Sequence, residues 1–187
     1  MEMKNLRKYI RRVLVEQRIT LQPPPSAEEE IHAVINQYFN RYNPEKLQYD
    51  LDENMDSLFD TLIKSKGHCS DAEYIKNLRE HTIPIIKGFK EYFKRARPSE
   101  VARAMGIPWQ GDISKMKTAN SYSYPSGHTA QAYYIALNLS DKYPDLSPAL
   151  MELAEMVSQS RIDRGVHFPS DISAGRKLAK QIYASSS

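Results

Sequence analysis

The chain has 187 residues, 41% hydrophobic and 26% charged, with a net charge of +3. That length suits one domain with its own core, and the composition excludes a disordered polymer. So small a charge makes no case for nucleic acid as a partner, and the single cysteine, Cys69, excludes intrachain disulfides.

In chain order, the opening segment MEMKNLRKYIRRVLVEQR carries charges where a signal peptide needs an apolar core. No run approaches the ~20 apolar residues of a membrane span. The sequence therefore reads as soluble and cytoplasmic. Residues 1–20 are predicted to form a basic helix ahead of a single domain over 21–187. The stripe Leu6, Ile10, Val13 and Leu14 suits packing of a solvated helix better than weak contact with an anionic membrane surface.

Pro23-Pro24-Pro25 breaks the chain, and Ser26 with Glu29 predicts a capping box for the helix that follows. Ile31, Val34, Ile35 and Tyr38 give that helix an apolar face, and Leu51, Met55, Leu58, Phe59 and Leu62 define another that stops at Gly67. Asp71 is the expected cap of a third helix. Pro84 is expected to kink or split it before it resumes to about Ala96, with Pro98 ending it. Residues 106–126 read as a long loop. Helices are then predicted over 127–142, 148–161 and 170–184. With no strand alternation, the expected fold is all-α, a single bundle of seven to eight helices.

Several polar residues fall on the apolar faces. Arg161 continues the stripe Leu150, Leu153, Ala154 and Val157, and His128 leads the stripe Ala132, Ile135, Ala136 and Leu139. Lys90 and Arg97, seven apart, are predicted to share a helical face with Phe93 between them. Ser126-Gly127 stands at a helix start, where free amides suit an anion. Each residue alone also fits an ordinary salt bridge, cap or solvated run. Together they suit an anion the size of phosphate.

Their order and spacing form a signature. Lys90 is followed after six residues by Arg97-Pro98; then comes Pro125-Ser126-Gly127-His128; then Ser160-Arg161, five residues, His167, three residues, Asp171. These eleven positions, with the flanking SYPSGHT and QSRIDRGVHFPSD, resemble the three-part signature of the type 2 phosphatidic acid phosphatase superfamily. That superfamily includes class A nonspecific acid phosphatases, membrane lipid phosphatases and vanadium-dependent haloperoxidases. The Leu-x-Pro-Pro-Pro at 21–25 is similar to a segment near the mature start of class A enzymes.

The resemblance implies a helical acid phosphatase acting on small phosphorylated substrates without a metal or other cofactor, with vanadate as inhibitor or phosphate mimic. It implies His167 as nucleophile, Asp171 as its orienting partner and His128 as proton donor. Lys90, Arg97, Arg161, Ser126 and Gly127 would hold the phosphoryl oxygens. A lipid-phosphate or isoprenyl-diphosphate phosphatase, a haloperoxidase and a non-catalytic phosphate binder are the competing readings. Trp109, Lys115, Lys117, Tyr122 and Tyr124 are expected at the pocket rim. His32, His68 and His81 belong to no motif, and the sequence leaves the oligomeric state open.

Overall fold

The computed structural model describes residues 19–41, 51–113, 116 and 119–186. Seven α-helices lie within them: α1 (Ala27–Asn40), α2 (Met55–Ser65), α3 (Ala72–Phe93), α4 (Pro98–Ala104), α5 (Gly127–Lys142), α6 (Ser147–Asp163) and α7 (Pro169–Ser186). A 3-10 turn, Pro144–Leu146, precedes α6, and the described residues include no strand. The basic helix expected over 1–20 falls almost wholly outside the described residues, as do Lys115 and Lys117.

Helix α5 is the axis. Ala130, Ala132, Tyr133, Tyr134, Ile135, Ala136 and Leu139 bury it on most sides, as expected of a helix with neighbours all round. It packs against α3, α6 and α7. Phe59, Ile63, Ile75, Leu150, Val157, Leu178 and Ile182 complete this main core. A smaller core joins α1 to α4 through Ile31, Val34, Val101, Ala102, Trp109 and Phe168.

Local expectations failed where one residue admits two uses. Pro84 does not split α3, which runs unbroken through it. The carbonyl it leaves without a donor is that of Glu80, an exposed residue that water can serve, while Ile75, Leu78, Ile85, Ile86 and Phe89 hold the helix to the core. The helix stops at Phe93, because Lys94 turns left-handed at φ 48°. Pro98 does not end a helix but opens α4, where its fixed φ suits a first turn and its missing N–H is no loss. Arg97, the residue before it, is extended, and its N–H donates to Glu100 Oε2 at 2.7 Å.

Two caps stand where expected but make no capping bond. Ser26 precedes α1 without a capping bond; its hydroxyl donates to Glu28 at 2.6 Å instead. Asp71 precedes α3, but its carboxylate is taken by Lys142 and Tyr143, each at 2.7 Å.

Candidate active site

His167 lies in the turn between α6 and α7, and Asp171 in the first turn of α7; both are buried. Four residues apart, they meet at 3.1 Å, His167 Nδ1 to Asp171 Oδ2. Every other contact to that carboxylate comes from a donor: the Phe168 N–H at 2.9 Å, the Ser123 hydroxyl, and Arg95 Nη1 at 2.7 Å. On the other side of the ring, Arg97 Nη1 stands 3.3 Å from Nε2. A guanidinium only donates, so Nε2 presents its lone pair and Nδ1 carries the proton.

Arg95 was missed in the sequence because KEYFKRARP reads as a solvated basic run. It is instead buried, with Phe168's ring 4.2 Å below its guanidinium. Its Nη2 bonds Glu30 of α1 at 2.7 Å and the Pro25 carbonyl at 3.1 Å. Glu30 also accepts from the Ser170 backbone N–H at 2.9 Å. A chain of charges thus runs from half-buried Glu30 of α1 through buried Arg95 to the aspartate behind His167.

Lys90 and Arg97 do reach one place, but not from one helical face. Lys90 lies in the last turn of α3, whereas Arg97 precedes α4 beyond the left-handed turn. The 106–126 loop receives both through its backbone: Lys90 Nζ donates to the Tyr122 and Ser123 carbonyls, and Arg97 Nε to that of Ser121 at 2.8 Å. Burial, then the neighbouring Arg97 and Arg161, pull the Lys90 pKa down to about 7. The same two causes, burial first and then the charges of Arg97, Lys90 and Arg161, push His167 well below the usual imidazole value. A histidine so placed stays neutral in mildly acid solution.

Arg161 is 1% exposed, near the end of α6. It pairs with Asp52, yet its buried Nε has no hydrogen-bond partner among the described residues. Asp52 was also missed. Its carboxylate lies 3.1 Å from His128 Nε2 and 3.6 Å from Arg164, and its carbonyl 3.2 Å from the same histidine nitrogen. Burial and Arg161 lower the His128 pKa, while Asp52 opposes them.

Ser126 caps α5, accepting from the Thr129 N–H at 3.4 Å, and its own N–H donates to the Asp171 carbonyl at 3.0 Å. That bond ties the start of α5 to the start of α7. Gly127 sits beside Lys90, whose Cε would lie 3.9 Å from an added Cβ. The fold therefore brings Lys90, Arg97, Ser126, Gly127, His128, Arg161, His167 and Asp171 together.

The aromatic rim is a correction. Trp109 is buried in the smaller core, edge-on to Tyr38 at 5.5 Å, and Gly165 (φ 66°) leaves room for its ring. A Cβ there would fall 2.5 Å from the indole. Tyr124 is buried too, its ring edge-on to Phe93 at 5.0 Å. Tyr122 is exposed and contributes its carbonyl. His68 and His81 stand apart, against Tyr143 and Tyr134. Among the described residues no group of three or more His, Cys, Asp or Glu is placed to hold a metal. No helix among them is long and apolar enough to cross a membrane.

The chain belongs to the PAP2 superfamily, whose model matches residues 81–180 and so spans all three signature segments. It is similar to the non-specific acid phosphatase of Salmonella typhimurium, 27% identical over 137 residues, which cover 71% of this chain and 54% of that protein. The non-specific acid phosphatase of Providencia stuartii is 33% identical over 90 residues, covering 48% of this chain and 35% of that protein. The chain thus spans about half, or less, of the length of these relatives. In fold it is similar to a transmembrane PAP2-type phosphatidylglycerolphosphate phosphatase from Bacillus subtilis. That match has a TM-score of 0.55 at 17% identity, covering 97% of this chain and 88% of the other.

Proposed function

We propose that the chain is an acid phosphatase that hydrolyses small phosphomonoesters, without a metal, through a phosphohistidine on His167. One observation carries this reading. The lone pair of His167 Nε2 opens onto the buried cations Lys90, Arg97 and Arg161, and Arg161 keeps a buried donor with no partner among the described residues. Three fixed cations supply the charge neutralisation that a metal gives elsewhere. The acid phosphatases among its relatives support the same reading.

The chemistry is a double displacement. His167 Nε2 attacks phosphorus as the bond to the leaving oxygen breaks, and His128 gives that oxygen its proton. Asp171 steadies the Nδ1 proton of the new phosphohistidine. Water then attacks phosphorus, His128 takes a proton from it, and the P–N bond breaks to release inorganic phosphate. His128 must start protonated while His167 starts neutral. A phosphate dianion raises the His128 pKa when it binds, and the low pKa of His167 keeps it neutral, so both needs are met in acid.

Hydrolysis of p-nitrophenyl phosphate between about pH 4 and 9, with EDTA present, tests the reading. A bell-shaped profile with an acid optimum, unaffected by the chelator and competitively inhibited by vanadate, is the expected result. Activity that needs an added metal, or still climbs at the alkaline end, contradicts it.

A further inference from the structure

We propose that the cavity beside His128 is the leaving-group subsite. It selects small leaving groups rich in hydrogen-bond donors, neutral or cationic, such as polyols and amino alcohols, over both acyl chains and anionic groups. The inference rests on the phosphatase reading above and deepens it. The cavity measures about 480 Å³, and of the residues gathered around the anion site, His128 and Asp52 line it. A group that protonates the leaving oxygen must have the leaving group on its own side, so the departing alcohol enters this space.

The walls decide what fits. Gln131 lies one turn beyond His128 on α5, and Glu53, Asn54 and Ser57 come from the start of α2 and the residues before it. Met55 is the one apolar lining residue, and it is only 4% exposed. An acyl chain here would strip water from amide and carboxylate groups and return no hydrogen bonds. Hydroxyls and ammonium groups return them, since carboxylates only accept.

Charge adds a second filter. Arg79 neutralises Asp56 at 2.6 Å, and Arg161 neutralises Asp52. Glu53 is exposed, lines the cavity and acts on Arg161 only at longer range, with no hydrogen bond or ion pair to a described residue, so its charge faces whatever occupies the cavity. The field thus runs from a cationic cradle at His167 to a carboxylate at the mouth, the pattern of a phosphate ester with a neutral or positive tail. A single charge acting through water over a few ångströms changes binding about threefold, so cationic and anionic tails should differ roughly tenfold.

The test compares kcat/KM for four esters of similar size: phosphoethanolamine, glycerol 1-phosphate, n-butyl phosphate and 3-phosphoglycerate. Phosphoethanolamine should exceed 3-phosphoglycerate roughly tenfold and glycerol 1-phosphate should exceed it about threefold, and both should exceed n-butyl phosphate about tenfold through their hydrogen bonds. At about 1 M salt the gap to 3-phosphoglycerate should close while the gap to butyl phosphate persists, because screening removes only the charge filter. Glu53→Lys should invert the order of phosphoethanolamine and 3-phosphoglycerate. Equal turnover of all four esters overturns the subsite and leaves the phosphatase reading standing. So does faster turnover of a short-chain phosphatidic acid than of glycerol 1-phosphate. No turnover of any ester, p-nitrophenyl phosphate included, overturns both.

Discussion

The two histidines of the site sit in unlike surroundings. His167 is 2% exposed, and its orienting carboxylate is gripped by donors from Arg95, Ser123 and the backbone. The His128 side chain is 18% exposed, has one carboxylate partner, and borders a cavity. In the proposed mechanism His167, the nucleophile, is held in one geometry, as in-line attack requires, while His128, the proton donor, keeps room for an alcohol to leave and water to enter. Rigidity and access are thus divided between two ends of one site.

The comparison is broken most severely at His167. Replacing it with alanine should lower kcat by about 10⁴-fold or more, read by steady-state hydrolysis, with the fold kept by circular dichroism. Behind it, Arg95→Met should loosen Asp171 and lower kcat by roughly 10²-fold with little change in KM. Arg95→Lys should restore part of the loss, and Glu30→Gln should show a weaker form of it. Equal losses in kcat and thermal stability across the three variants would make the network purely structural.

On the donor side, Asp52→Asn should separate substrates by leaving group. Alkyl phosphates need a proton and should slow by about 10²-fold; p-nitrophenyl phosphate, with its stable leaving anion, should slow by less than about tenfold. Uniform slowing would place Asp52 with the phosphate cradle instead. A milder effect belongs to Lys90. Its depressed pKa means it is charged below about pH 7 and loses that charge above it. Apparent KM should therefore rise several-fold as pH passes through neutrality, and Lys90→Arg should flatten that rise.

The smallest effect is expected where α7 crosses the start of α5. A Cβ at Gly175 would lie 2.8 Å from the Ser126 carbonyl oxygen and 2.9 Å from Thr129 Cβ. Gly175→Ala should push the two helices apart, at about 1–3 kcal/mol of stability, measured as a lowered Tm.

What could be read from the sequence follows the same division. Helix α5 was legible to the residue, because Ser126-Gly127 and the apolar stripe mark its start and face. The signature residues were legible because their spacing is local. Pro98 was not, since a proline that ends one helix and a proline that begins another look alike without the third dimension. Arg95, Asp52 and Glu30 were not legible either. Their partners lie far along the chain: Asp171 is 76 residues from Arg95, Arg161 is 109 from Asp52, and Ser170 is 140 from Glu30. No local pattern specifies such contacts. Only helix packing creates them, and it also turned Trp109 from an expected rim residue into core.

The most direct measurement is to trap the covalent intermediate. Acid-labile phosphoryl groups would be mapped by rapid quench during turnover of a labelled phosphomonoester, beside the His167→Ala variant. The account predicts an alkali-stable phosphohistidine on the peptide bearing His167, formed at least as fast as product and absent from the variant. Steady hydrolysis with no phosphoryl group on His167, or with the label on another residue, would contradict it.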